Sequence, residues 1–284
     1  MKKLLLQLDP DHQPSAFDRI VAYDAGADEV LSYGGVTPTE VVPLVHGAIF
    51  TRGPADLRNT AVWVGGTDVG SAEALFTAVQ DAFFGPFRVS AMIDANGCNT
   101  TAAAAVARLA GVVTLSGARA VILGGTGPVG IRAAALLARE GTAVVLCSRS
   151  IARARTACER LKATFRVDVT PCEAWDEATV TRALEGADVC LTAGAASVRL
   201  VPEALWAKHP SLKALADVNA VPPLGIAGIE AGDKGTERHG KRVFGALGIG
   251  GLKMKVHRAC VARLFEKNDA VIDLDAIYGV ARAS

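Results

Sequence analysis

Apolar and polar positions follow one another along this chain in blocks whose period changes from place to place. Lys3–Leu8 is a short apolar run that predicts a strand, and Pro14 then opens a helix through Tyr23, which Gly26 ends. Val41–Gly47 predicts a short helix, while Ala48–Thr51 and Ala61–Val64 read as buried strands, the second followed by Gly65-Gly66. From Asp68 the pattern is plainest: Val69, Ala72, Leu75, Phe76, Val79 and Phe83 recur at helical spacing and make one apolar face, which Gly85-Pro86 terminates. Arg88–Ile93 predicts the next strand, and Asn99-Thr100-Thr101 can cap a helix through the alanine run that follows.

A second unit starts near Arg119. Ala120–Gly124 reads as a strand, Gly125–Gly130 as a turn, Pro128–Arg139 as a helix and Ala143–Cys147 as the next strand, which together make one βαβ unit. Further strands are predicted at Val167–Val169, Val189–Thr192, Ala214–Val218 and Val243–Ala246. A glycine-rich passage, Gly245–Gly251, precedes a helix from Lys253 to Glu266, and Asp273–Arg282 forms a last helical piece. Strands alternating with helices predict an α/β protein with parallel or mixed sheets covered on both faces. The expected architecture is two α/β domains with a cleft between them: residues 1–115, a Rossmann-type doubly wound nucleotide-binding domain at 116–265, and a helical segment at 266–284 packing back on the first domain.

Composition narrows the class. The 284 residues carry 30 basic and 29 acidic side chains, a formal net charge of +1, which gives no electrostatic reason to expect nucleic acid or an anionic membrane as partner. Six cysteines never approach within 11 positions of one another, so no CxxC or zinc-ribbon spacing exists, and the five histidines form no HExxH pair. No metal is expected, and there is no GxSxG elbow. The opening Lys2-Lys3-Leu4-Leu5-Leu6 is cut off by Gln7 and Asp9, too early for a signal sequence, and the longest charge-free stretch, Ala95–Ala107, is 13 residues, too short to span a bilayer. A cytoplasmic protein is the expectation.

Gly125-Thr126-Gly127-Pro128-Val129-Gly130 is a GxGxxG match that follows a strand and opens a helix, the setting in which this motif binds a dinucleotide. Its glycines allow a tight turn, close approach of backbone to a pyrophosphate, and close helix–strand packing, while free N–H groups at the helix start face the anion. At the end of the second strand, where an NAD site carries an acid, stands Cys147-Ser148-Arg149-Ser150, with Arg153 in the next helix. A guanidinium pairs with a 2′-phosphate and the serine hydroxyls donate to it, which favours NADP without excluding NAD. Polar groups for a substrate come from Asp18, Tyr23, Asp94, Asn96, Asn99, Thr100, Thr101, Asn219, Lys253 and Lys255.

Taken together, Ser15–Asp18 with Tyr23-Asp24, Gly85–Ser90, Asn96-Gly97 with Asn99-Thr100-Thr101, Gly125–Gly130, Thr192–Ala195, Pro222–Ile226 and above all Phe244–Cys260 (FGALGIGGLKMKVHRAC) resemble the bacterial NADP-dependent methylene-tetrahydromethanopterin/methylene-tetrahydrofolate dehydrogenases. The resemblance implies reversible oxidation of a methylene bridge to the methenyl form, with hydride passing to NADP and a pterin carrier bound by the first domain. It implies Lys253 in the active site, and Asp18, Tyr23, Asp94, Asn96, Thr100, Thr101 and Lys255 around the pterin. The cofactor site takes in Thr192, Ala193, Gly194 and Asn219, and small residues at Gly245–Gly251 allow close approach of backbone to a ligand. A homo-oligomer, such as a trimer, is also implied. Ser150 stands where relatives carry a second base directly after the first arginine, which loosens the preference for NADP. On the residues alone, another two-domain NADP-dependent dehydrogenase or a non-enzymatic NADP-sensing module stays open. Lys2 and Lys3 are the only lysines before Lys162, which counts against the catalytic lysine that the former would need in its first domain.

Overall fold

The computed structural model describes residues Met1–Ser284. The chain forms two compact units, Met1–Thr100 with Met254–Ser284, and Thr101–Lys253. Their limits fall inside the two helices Cys98–Ala110 and Ala246–Arg263, whereas the hydrophobic pattern places its boundaries beyond the ends of both.

The first unit contains β1 (Leu4–Asp9), α1 (Ala16–Asp24), β2 (Glu29–Gly34), α2 (Val41–Ile49), β3 (Thr60–Val64), α3 (Val69–Asp81), β4 (Ser90–Ile93) and the start of α4 (Cys98–Ala110). It is completed by the end of α9 (Ala246–Arg263), β12 (Val271–Ile272) and α10 (Leu274–Arg282). The five-stranded sheet has the order β12-β4-β3-β1-β2, with every pair parallel. Strands β3 and β4 are buried along their whole length, which is why they read as unbroken apolar runs. At the edge, β2 buries only Val30 and shows no such run, so the sequence pattern passes over it. Ala48–Thr51 is not a strand: Val41, Val45, Ala48 and Ile49 are the buried face of α2, and their helical spacing decides the period.

The second unit contains the rest of α4, then β5 (Arg119–Leu123), α5 (Pro128–Arg139), β6 (Ala143–Ser148), α6 (Ile151–Phe165), β7 (Thr170–Glu173), α7 (Glu177–Leu184), β8 (Val189–Thr192), α8 (Glu203–Ala207), β9 (Ala214–Asp217), β10 (Lys234–Arg238), β11 (Lys241–Phe244) and the start of α9. Its seven strands run β10-β11-β9-β8-β5-β6-β7, parallel except for β10 against β11. Leaving out β10, this is the doubly wound 3-2-1-4-5-6 order, whose ligands bind beyond the carboxyl ends of the strands. Strand β7 begins later than Val167, because α6 runs to Phe165 and ends in the left-handed Arg166 (φ 56°). Strand β10 pairs with β11 through His239 and Gly240, both at positive φ, the turn that suits a tight hairpin.

At the amino ends of the central strands, Asp188 accepts hydrogen bonds from the Arg119 amide (2.9 Å) and pairs with Lys213 Nζ (2.8 Å). The Lys213 hydrogen bond, then the Arg119 amide, holds its carboxyl below the ordinary carboxylate range. A depressed folded pKa contributes stability above the unfolded value and loses it as pH falls through the folded one. Asp188→Asn is therefore expected to lower unfolding stability by about 1 kcal/mol at neutral pH. The difference should vanish in strong acid, as followed by urea denaturation across pH.

Candidate active site

In the second unit the turn from β5 into α5 is built almost entirely from close backbone contacts. Gly124 takes the left-handed turn position (φ 65°), and a Cβ there would lie 2.5 Å from Gly194 Cα. Gly125 packs on Ile122 and Leu146 and donates its amide to the Cys147 carbonyl (3.0 Å). A Cβ on Gly130 would sit 2.4 Å from the Gly125 carbonyl oxygen, so these two glycines hold helix and strand together. Gly127, by contrast, has no atom within 4 Å of its Cβ position and precedes Pro128 at the start of α5, where no side chain caps the helix. Bare backbone ahead of an uncapped helix N-terminus fits a dinucleotide pyrophosphate, and these residues are the ones that would hold it.

Around this turn the carboxyl ends of β6, β8 and β9 bring together the other predicted cofactor residues. Ser148 is buried and its Oγ accepts from the Ser150 amide (3.4 Å), while Arg149 is exposed. A cavity of about 350 Å³ beside the turn is lined by Thr126, Ile131, Arg153, Thr156 and Arg160, which joins Arg153 to the phosphate turn and adds Arg160, a residue the motif did not suggest. Thr192 donates to Asp217 Oδ1 (2.8 Å), and the Ala193 amide donates to the Leu123 carbonyl (2.9 Å). Asn219 donates from its own amide to Asp217 (2.9 Å) and binds the Val221 and Pro223 carbonyls through Nδ2. Asp217 thus organises both Thr192 and Asn219; its burial raises its carboxyl above the ordinary range, an effect opposed by those donors and the Ile226 amide.

The predicted substrate residues of the first unit divide in the same way. Asp18 lies in the first turn of α1, capped by Ser15, and a Cβ on Gly65 would stand 3.0 Å from Asp18 Oδ2 and 3.3 Å from Asp9 Oδ2. Asp9, at the end of β1, was not picked out by any motif, yet it is fully buried and accepts from the Asp11 (2.8 Å) and Ser15 (3.3 Å) amides. Burial raises its carboxyl above the ordinary range, with those two amides pulling it back. Asp11 in turn binds the Thr67 amide and hydroxyl, so two acids brace the loop that carries Gly65 and Gly66. Asn96, at φ 51°, is exposed and donates its amide to the Gly66 carbonyl (2.7 Å).

Asp94 is fully buried and committed to the start of α4: Oδ1 accepts from the Asn99 (2.9 Å) and Thr100 (3.1 Å) amides, and Oδ2 from Thr100 Oγ1 (2.6 Å). Asp94 therefore supplies the cap that the sequence pattern assigns to Asn99-Thr100-Thr101, and those residues form the helix's first turn. His257 Nε2 lies 3.7 Å from Asp94 Oδ2, and its ring meets Trp63 edge-on at 4.7 Å. Tyr23 is exposed farther along α1, on a different face from Asp18. In α9, Lys253 is half-buried and Lys255 exposed.

The glycine-rich passage is helical from Ala246 onward, so that α9 starts before the predicted Lys253, and Gly245 and Gly248 press against the chain's own backbone at Glu230, Ala231 and Asp233. Only Gly250 and Gly251 leave open space where a Cβ would be.

Residues 16–96 match the family model described as methylene-tetrahydromethanopterin dehydrogenase, N-terminal. The chain is 52% identical over 283 residues to the bifunctional protein MdtA of Methylorubrum extorquens, covering 99% of this chain and 98% of that one. It is 32% identical over 290 residues to the NAD(P)-dependent methylenetetrahydromethanopterin dehydrogenase of the same organism, again covering 99% and 98%. Among solved structures, shikimate 5-dehydrogenase from Listeria monocytogenes superposes with a TM-score of 0.53 at 13% identity, covering 98% of this chain and 96% of that one, a likeness of fold alone. No helix is long and apolar enough to cross a membrane. Whole-chain identity at this level, on a nucleotide turn of this geometry, shows that the chain belongs to the methylene-tetrahydromethanopterin dehydrogenase family.

Proposed function

We propose that this chain catalyses reversible hydride transfer between the methylene bridge of a tetrahydropterin carrier, methanopterin or folate, and NADP. The observation that carries this reading is whole-chain identity to an NAD(P)-dependent methylenetetrahydromethanopterin dehydrogenase, joined to a phosphate turn whose Gly127 is bare at a helix start. Bound NADP supplies a two-electron acceptor, and the protein's task is to hold it and the pterin face to face and keep water away. Loss of hydride from a carbon between two nitrogens leaves a delocalised cation, so no protein base is needed.

In this reading Gly125–Gly130 hold the pyrophosphate, and Ser148, Arg149, Ser150 and Arg153 the adenosine end. Thr192, Ala193, Gly194 and Asn219 line the cofactor from the ends of β8 and β9. Asp18, set against Gly65, accepts from the donor-rich edge of the pterin, with Asn96, Tyr23, Thr100, Thr101 and Lys255 in the substrate's surroundings. The fully bonded Asp94 keeps α4 in place instead of contacting substrate. Lys253 bonds a pterin oxygen or fixes the ring; a cation placed at the reacting carbon would oppose the charge that develops there. The enzyme is a cytoplasmic homo-oligomer such as a trimer; the oligomer is supported by a patch of exposed Phe50 and Phe84, with the Phe87 ring tilted against Phe50 at 5.6 Å, in a chain only 5% aromatic.

Mixing the protein with methylene carrier and NADP should give methenyl and NADPH absorbance in equal amounts; NADPH formed without methenyl carrier would refute the reading. Arg149→Ala is expected to weaken NADP about tenfold while changing NAD little, since only NADP carries the 2′-phosphate. Equal losses in a binding titration would remove Arg149 from that role.

A further inference from the structure

The end of β6 carries no acid, yet an acid reaches the same place from the neighbouring strand. Glu173 closes β7 directly beside Ser148, its partner in the parallel register. Its Oε1 accepts a hydrogen bond from the Ile151 amide at the first turn of α6 (3.1 Å). Ser150, the residue at the cap position, makes no side-chain cap of its own, so the carboxylate of Glu173 does that work. The Ala174 amide donates to the Ser148 carbonyl (2.8 Å), which continues the ladder past the strand end and keeps Glu173 in register with the adenosine loop.

In a doubly wound nucleotide domain this is where the ribose 2′ position is read: a carboxylate accepts from the 2′-hydroxyl of NAD, and a guanidinium pairs with the 2′-phosphate of NADP. Here both signs are brought to one loop, Arg149 in the turn after β6, Arg153 in the first turn of α6, and Glu173 at the end of β7. A phosphate brought to Arg149 also meets the charge of Glu173 and competes with it for the α6 N-terminus. A hydroxyl meets no such repulsion and gains an acceptor.

We propose that Glu173 is a specificity-determining residue of the cofactor site, the carboxylate that accepts from the ribose 2′-hydroxyl of NAD and opposes the 2′-phosphate of NADP. This rests on the dinucleotide-binding reading of the second unit and names the residue that lets both cofactors be used. It extends the sequence-based expectation, in which only the basic side of the loop was visible. The missing acid at the end of β6 is replaced by one that strand pairing delivers.

The test is calorimetric titration of the purified protein with NADP, NAD, 2′,5′-ADP and 5′-ADP, comparing wild type with Glu173→Gln and Glu173→Asp. Glutamine keeps an acceptor for the Ile151 amide but removes the charge. In Glu173→Gln, NADP and 2′,5′-ADP should bind about five- to tenfold tighter and NAD severalfold weaker, moving the NADP-to-NAD preference by at least about tenfold. Glu173→Asp keeps the charge and should leave that preference within about twofold of wild type. An unchanged preference in Glu173→Gln, or equal weakening of all four ligands, would show that Glu173 only caps α6 and would overturn the proposal. If Glu173→Gln fails to fold, Glu173→Asn is titrated beside Glu173→Asp, a pair that differs in charge at constant length: the asparagine variant should favour 2′,5′-ADP over 5′-ADP by about fivefold more than the aspartate variant, and an equal ratio in the two would overturn the proposal. Failure of wild type to bind any of the four ligands would instead refute the nucleotide-binding reading itself.

Discussion

Gly130→Ala is expected to lower NADP affinity by at least about 100-fold, close to 2.7 kcal/mol of binding free energy. The new Cβ would lie 2.4 Å from the carbonyl oxygen of Gly125 and 2.6 Å from its carbonyl carbon and Cα. All three are backbone atoms, so no side chain can rotate out of the way, and either the turn or the start of α5 must move. That movement carries Gly127 and the α5 amides away from the pyrophosphate. Gly127→Ala makes the complementary comparison. Its backbone is extended (φ −80°, ψ 172°), which alanine adopts freely, and nothing lies within 4 Å of the added carbon. Its melting temperature should match the parent, while its NADP affinity should fall because the methyl group points at the ligand. Calorimetric titration beside thermal melting separates the two effects; normal NADP binding by both variants would mean that this turn does not hold the pyrophosphate.

Within α9, one substitution at two glycines should act in opposite directions. Gly248→Ala would place Cβ 1.9 Å from the Asp233 carbonyl oxygen, well inside any tolerable contact, and is expected to cost about 3 kcal/mol or more as the helix is pushed off the Glu230–Asp233 turn. Gly250 has no such neighbour, and alanine there is expected to stabilise the protein by about 0.5–1 kcal/mol, because a glycine in a helix interior loses more backbone freedom on folding. Chemical denaturation of both variants checks the signs. A stabilised Gly250→Ala enzyme that has lost pterin or NADP affinity would place Gly250 at a ligand. Full activity would make the open face of α9 at Gly250 unimportant to the reaction.

Why these two glycines differ could not be read from the chain. Gly245–Gly251 looks uniform in sequence, and only the antiparallel β10–β11 hairpin and the turn before it show which residues meet backbone and which do not. The same holds for Asp217 and Glu173. Each closes a strand, and each gains a partner from a neighbouring element that sequence spacing does not reveal. By contrast, β5, α5 and β6 were legible almost to the residue, because buried parallel strands read as apolar runs and Gly127-Pro128 marks the helix start. Edge strands failed for the converse reason: β2 and β7 bury too little for periodicity to register. Asp94 illustrates a different limit. Its residue type suits both a pterin edge and a helix cap, and its contacts with Asn99 and Thr100 are those of the cap.

Direct hydride transfer from the methylene bridge is the central claim, and isotope tracing tests it most directly. The protein is incubated with NADP and a methylene carrier deuterated at the bridge carbon, and the reduced cofactor is analysed by mass spectrometry and proton NMR. The account predicts one deuterium per molecule at the nicotinamide C4 position, on a single face, with monodeuterated methenyl carrier formed in equal amount. Unlabelled NADPH, or no reduction of NADP with either pterin carrier, would contradict it.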